Sequence, residues 1–95
     1  MTINNYTERD LERIQEYAEA TLSPSEIATL LELPADEHSI FVEMVKNHHS
    51  HAFHIAYQKG VLTTKFNLRR TVIKLATAGS PAAEPIALKF LKDID

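Results

Sequence analysis

Four histidines, His48, His49, His51 and His54, lie close together near the middle of this 95-residue chain. His48 and His51 are three residues apart, as are His51 and His54, so a helix would place each pair on neighbouring positions. Zinc and nickel sites use such imidazoles, but they normally add a carboxylate or thiolate. The segment has no acidic residue and the chain no cysteine. We therefore expect no metal and no other cofactor, and interpret these as surface histidines near a helix start that touch phosphate or a neighbouring subunit.

Catalytic motifs are missing from the sequence. It contains no glycine-rich phosphate loop, no nucleophile elbow and no carboxylate pair next to a histidine, and without cysteine it has no thiol nucleophile. Acidic residues concentrate early in the chain, where Glu12, Glu16 and Glu19 are typical of the solvated face of a helix. We expect a protein that is not an enzyme and has no catalytic residues.

Charge is distributed very unevenly along the chain. Residues 1–43 hold ten acidic residues against two arginines, whereas residues 44–83 hold no acidic residue at all. This asymmetry indicates either a polyanionic partner or head-to-tail contact between copies. The candidate phosphate contacts are the basic residues of the second block: Lys46, Lys59, Lys65, Arg69, Arg70 and Lys74. Each has an alternative role as a solvated flank or as an intersubunit partner of the acidic block.

The elements that position these residues are helices. Two segments resemble capping boxes, Thr7 to Asp10 and Ser23 to Glu26, and apolar residues follow both at helical spacing. These patterns predict a first helix near 8–20 and a short second helix that Leu33-Pro34 ends. A third helix is predicted to begin around Ala35 or Asp36, and strand patterns are almost absent.

The second and third predicted helices have the proportions of a helix-turn-helix. In that arrangement His38 and Ser39 of the third helix are the candidates for base contact. The third helix is acidic, however, with one lysine against three carboxylates. Because phosphate contact dominates DNA affinity, we expect this part alone to bind DNA weakly.

A long helix is predicted from about Ser50 to Ala78, weakened only by Gly60, which costs about 1 kcal/mol relative to alanine. At 100° per residue it has two apolar stripes, one of Val61, Leu68, Val72 and Leu75, the other of Leu62, Phe66 and Ile73. A helix with two apolar faces needs two partners. We expect the chain to cover one stripe, and a second copy to cover Leu62, Phe66 and Ile73.

A short connection follows the long helix. Gly79 is expected to end the helix in a left-handed conformation, and the Gly-Ser-Pro link favours an antiparallel hairpin of 50–78 against 84–94. The predicted fold class is therefore all-α, with a three-helix unit resembling a helix-turn-helix over 1–47. A long-helix/short-helix antiparallel hairpin over 48–95 is the predicted oligomerisation region.

The order of these elements resembles the small terminase subunits of phages. Residues 25–31, SEIATLL, look like the opening of their helix-turn-helix. The later segments NLRR at 67–70, LATAGSPAA at 75–83 and LKFL at 88–91 are similar to their next part, a basic helix ending in Ala-x-x-Gly-(Ser/Asn)-Pro and then a helix ending in Leu-Lys-x-x-Leu. The similarity covers about residues 23–92.

The resemblance implies a non-enzymatic DNA-recognition subunit of a packaging motor, which would assemble as a ring and bind double-stranded DNA. Its further partner would be the large ATP-hydrolysing nuclease subunit. The alternative is an oligomeric protein–protein adaptor, or a helix-turn-helix protein resembling a transcription regulator, without a packaging role. With a polar start and no apolar run of about 20 residues, we expect a cytoplasmic protein with no membrane partner.

Overall fold

The computed structural model describes residues 1–94, and the prediction of an all-α protein is confirmed. A single 3₁₀ turn, Ala35–Glu37, precedes the third helix, and an isolated bridge joins Thr2 to Asn5. The five helices are α1 Glu8–Glu19, α2 Pro24–Leu30, α3 His38–Asn47, α4 Ala52–Thr77 and α5 Glu84–Lys92. The chain forms two units, Met1–Thr64 and a second that begins at Lys65, so α4 contributes to both.

Both predicted capping boxes are present. The Thr7 hydroxyl accepts the Asp10 N–H at 3.3 Å, and the Asp10 carboxylate accepts the Thr7 N–H at 2.9 Å. Ser23 and Glu26 make the same reciprocal pair at 3.2 and 2.9 Å, with Pro24 in the first helical turn. These bonds satisfy N–H groups that a helix start leaves without partners, so α1 and α2 begin where the local sequence predicts.

The connection from α2 to α3 lies at residues 32–34, where the sequence predicts the turn, but its geometry adds two features. Helix α2 runs to Leu30 with Leu31 as its C-cap, and Glu32 then takes a left-handed conformation with φ of 56°. The chain then makes the 3₁₀ turn, in which the Glu37 N–H donates to the Pro34 carbonyl at 2.9 Å. Regular α-helix starts only at His38, after this tighter turn.

The core of the first unit joins α1, α2 and α3 with the start of α4. Phe41 and Phe53 are fully buried with ring centroids 5.2 Å apart, and Tyr6 packs 4.7 Å from Phe53. The domain boundary predicted between residues 47 and 48 therefore falls before Phe53, which belongs to the core of the first unit. The two units of the structure divide after Thr64. The other buried apolar residues of this core are Ile14, Ala18, Ile27, Ala28, Leu31, Leu33 and Val45.

Gly60 marks the place where α4 crosses α1. A Cβ atom at this position would lie 2.6 Å from the Cβ of Ala18 and against the backbone oxygen of Gln15. Next to this crossing the Thr64 hydroxyl donates to the Glu19 carbonyl at 2.5 Å. The glycine that weakens the helix by its propensity is thus what lets two backbones approach closely.

We expect Gly60→Ala to lower the free energy of unfolding by about 1–3 kcal/mol, the usual cost of an overpacked contact. Helix propensity alone predicts the opposite sign, a gain of about 1 kcal/mol. Denaturant unfolding measures the difference, with the exposed neighbour change Gln58→Ala as control. A Gly60→Ala protein as stable as the control would show that the α1–α4 crossing is not close-packed.

The carboxylate of Glu26 makes α2 sensitive to acid. Hydrogen bonds from the Ser23 backbone N–H and then from its hydroxyl hold the pKa of Glu26 below its ordinary value. A lowered folded-state pKa stabilises the fold above the unfolded-state pKa, and this contribution is lost as pH falls through the folded-state value. We expect the parent to be more stable than Glu26→Gln at neutral pH, and the gap to close in acid below the ordinary pKa of glutamate. Thermal unfolding across pH measures the gap; a constant gap would contradict the charged cap.

The second unit is a helical hairpin. Gly79 takes φ of 93°, so the predicted left-handed helix end is confirmed, and α5 returns antiparallel to α4. Arg69 near the start of this unit contacts Phe90 and Asp93 near its end. Pro85 falls in the first turn of α5, where a missing N–H costs little. Among the described residues, no helix combines the length and apolar character that a membrane span requires.

Candidate nucleic-acid interface and self-association surface

The basic residues of the acid-free segment are mostly exposed and unpaired. Within residues 1–94, ion pairs involve only Arg9, Arg13 and Arg69 among the basic side chains. Exposed lysine and arginine side chains can neutralise phosphates, and that neutralisation supplies much of duplex affinity. The exposed cations that remain are Lys46 on α3, Lys59 in the first unit, and Lys65, Arg70 and Lys74 in the second.

Arg70 and Lys74 form a pair on the second half of α4. They are four residues apart and therefore neighbours on one helix face. At 100° per residue this face is opposite Val72 and Ala76, which are half-buried toward α5. The two cations thus point away from the hairpin's own contact line, on a side that a polyanion can approach.

Arg69 has a different environment from the other candidates. Its guanidinium lies 4.6 Å from the centroid of the Phe90 ring and 3.9 Å from the Asp93 carboxylate. The residue is half-buried and ties α5 to α4 by a cation–π contact and an ion pair. Its partners lie more than 20 positions away, so the spacing within α4 did not distinguish Arg69 from its neighbours.

The two candidates for base contact are not equivalent. Ser39 is exposed on α3, but His38 is half-buried, and its Nε2 lies 2.9 Å from the Leu33 carbonyl oxygen. A carbonyl only accepts, so this nitrogen carries the proton and Nδ1 alone is left for another partner. His38 therefore braces the turn that leads into α3.

The histidine cluster has a structural role at the α3–α4 junction. The Nδ1 atom of His51 accepts the Phe53 N–H at 3.0 Å, and the Nδ1–H of His54 donates to the Val45 carbonyl at 2.6 Å. His49 packs against His54 with ring centroids 4.6 Å apart, while His48 is exposed. Within residues 1–94 no three side chains of metal-binding type come together.

The acidic first unit uses both of its arginines internally. Arg9 contacts Glu12 at 3.2 Å and Glu16 at 3.0 Å. Hydrogen bonds to Glu16 first and then Glu12 raise the pKa of Arg9 above its ordinary value. Arg13 donates to the Leu30 carbonyl at 3.0 Å and lies 3.7 Å from Asp10. The remaining carboxylates of this unit therefore have no compensating arginine.

Large apolar side chains are exposed along α4. The predicted interface residues Leu62, Phe66 and Ile73 are 50%, 61% and 47% exposed. Leu68 and Leu75, which we expected the chain to cover, are equally open at 61% and 51%. The other two residues of that stripe are partly covered: Val61 packs against the core of the first unit, and Val72 is half-buried beside α5. The chain therefore covers the first stripe only in part.

The hairpin consequently has two apolar sides. On one side a groove of about 310 Å³ is lined mainly by Ile73, Ala76, Ala87, Leu88 and Leu91, with Thr77 and Glu84 at its polar positions. Residues two apart on a helix point about 160° apart. Leu75 is two residues from Ile73, and Ile86 is two residues from Leu88, so Leu75 and Ile86 face the opposite side.

Comparisons of the chain with protein-family models, with curated proteins and with solved structures found no match. The candidate site is therefore defined by chemistry alone: exposed cations that the described residues leave unpaired, next to apolar surface that the hairpin leaves uncovered.

We expect the parent protein to be larger than a monomer in solution, and Leu62→Glu or Ile73→Glu to reduce its mass toward the monomer. A glutamate in a closing apolar interface would bury an unpaired charge, which is strongly unfavourable. Sedimentation or light scattering measures the mass, and circular dichroism checks that the helices survive. Asn67→Glu, on the polar side of the same helix, is the matched control. Variants that associate like the parent would make the stripe assignment wrong.

Proposed function

We propose that this chain is a non-enzymatic DNA-recognition subunit of a phage DNA-packaging complex, which binds double-stranded DNA as a homo-oligomer. The observation that carries the proposal is the exposed Arg70–Lys74 face, in a segment from 44 to 83 that has no acidic residue. Because duplex affinity comes largely from phosphate neutralisation, such a face is suited to the DNA backbone.

Self-association is supported by the small number of buried residues in the second unit. From Lys65 to Ile94 only Ala83 is buried, whereas the large apolar residues on both sides of the hairpin are exposed. Surfaces of this kind mark protein interaction sites. A two-fold symmetric contact joins the same patch of both copies and would leave the other side open. Contact of one side with the opposite side of the next copy covers both, and such contacts generate rings or filaments.

The resemblance to small terminase subunits supplies the biological setting of the proposal. It points to a large ATP-hydrolysing nuclease subunit as further partner and to the cytoplasm of the infected cell as location. The helical order α2, turn, α3, long α4 and short α5 is compatible with the segments that carry the resemblance. In this proposal α4 supplies most phosphate contacts, because α3 is acidic and His38 already donates to Leu33.

Replacing Arg70 and Lys74 together by glutamine is expected to weaken duplex binding and to flatten its salt dependence. Each lost phosphate contact lowers the slope of log affinity against log salt by about one, so the double variant should lose about two. Fluorescence anisotropy at several salt concentrations measures both quantities.

The double change of Lys89 and Lys92 to glutamine is the matched control, since it removes the same charge from α5. We expect it to retain most of the parent's slope. If the parent itself shifts no long duplex at low salt, DNA binding is refuted; equal loss in both double variants would refute the assignment to Arg70 and Lys74.

A further inference from the structure

The outer face of α3 is exposed, and no other helix of the first unit covers it. Phe41 and Val45 are buried, so the opposite side of the helix is presented outward. Glu43 lies near the centre of that side, with Ser39 and Asn47 beside it. Ile40, 45% exposed, adds an apolar edge.

The charge of this face disfavours phosphate contact, since its two exposed carboxylates outnumber its one cation, Lys46. Asp36 in the preceding turn and Glu43 are exposed and form no ion pair within the described residues. The acidic residues Glu12 and Glu16 of α1 are different, because Arg9 forms ion pairs with both. On α3 only Lys46 opposes the negative charge. The face is therefore built for a cationic partner with some apolar surface.

The second half of α4 has the complementary pattern. Arg70 and Lys74 lie next to each other on its surface, and Phe66, one turn before Arg70, is exposed beside them. Each of the two faces thus combines a charged centre with an apolar edge, and the charges have opposite sign. Opposite potentials steer association and fix its register.

We propose that the outer face of α3 docks on the Arg70–Lys74 face of a second copy of this chain, and that duplex DNA competes with α3 for those two cations. The part that concerns DNA rests on the proposed function. Duplex DNA carries a dense row of phosphates, and neutralising them releases condensed counterions, so DNA displaces the two exposed carboxylates of α3 while the apolar sides of the hairpin stay in contact. The acidic first unit then competes with DNA for the two cations, and this competition weakens the binding of DNA that makes only a few phosphate contacts.

Carbodiimide coupling tests the docking directly, because it joins a carboxylate to a lysine amine only where the two touch. Equal amounts of ¹⁵N-labelled and unlabelled full-length protein are equilibrated, coupled at low salt and digested. We expect peptides that join Asp36 or Glu43 to Lys74 and that carry one labelled and one unlabelled half. Lys74→Arg, which keeps the charge and removes the amine, must abolish this product. Products confined to one copy, or none from α3, would overturn the proposal.

A charge-matched pair of variants tests the competition. Asp36→Asn with Glu43→Gln should bind duplex DNA about threefold more tightly than Glu8→Gln with Glu32→Gln, a difference expected from the loss of two exposed ion pairs. Glu8 and Glu32 are exposed and outside the ion pairs of the described residues, and both double variants change net charge equally. Equal affinities would show that only overall charge matters and would refute the competition. Mixed-label products from a parent that binds no DNA would instead refute the proposed function and leave the docking intact.

Discussion

The space between two helices sets the main constraint on this protein. A hairpin of a half-length α4 and the short α5 buries the small Ala83 and half-covers Val72 and Ala76, but it cannot enclose the larger side chains on its flanks. Phe66 and Ile73 remain open on one flank, and Leu68 and Leu75 on the other. Burying apolar surface stabilises a protein by about 25 cal/mol for each Å² removed from water. Covering these side chains would therefore contribute a substantial free energy, which a single copy of the chain does not gain.

The first unit, by contrast, buries large apolar side chains within a single copy of the chain. Its three short helices would form a thin core, and the start of α4 completes that core by inserting Phe53 against Phe41 and Tyr6. Gly60 then allows α4 to pass close to α1. One helix therefore closes a core with its first half and presents uncovered apolar surface with its second half. This division explains why α4 has no single apolar face.

Charge follows the same division. In the first unit both arginines have partners nearby. Arg9 forms ion pairs with two glutamates, and Arg13 contacts Asp10 and donates to the Leu30 carbonyl. In the second unit Arg69 makes a cation–π contact with Phe90 and an ion pair with Asp93, while Arg70 and Lys74 form no ion pair with the described residues. The charged side chains that are available to a partner are those that these internal contacts leave unpaired. That remainder is acidic on α3 and basic on the second half of α4.

Local features of this protein were determined by the sequence alone. Helix starts at Thr7 and Ser23 and the left-handed end at Gly79 depend on residues within about four positions, so their types and spacing suffice to predict them. The all-α class and the grouping of Leu62, Phe66 and Ile73 on one side of α4 follow from the same short-range periodicity. Features that join distant positions were decided only by the tertiary structure. Gly60 acquires its role from Ala18, and Arg69 from Phe90, because these partners meet only when α1 and α5 pack against α4. The left-handed conformation of Glu32 was likewise not predicted, and α5 half-covers Val72 of the first stripe but leaves Leu68 and Leu75 exposed. Helical periodicity defines which residues share a face, but the line along which two helices touch depends on packing that no single helix contains.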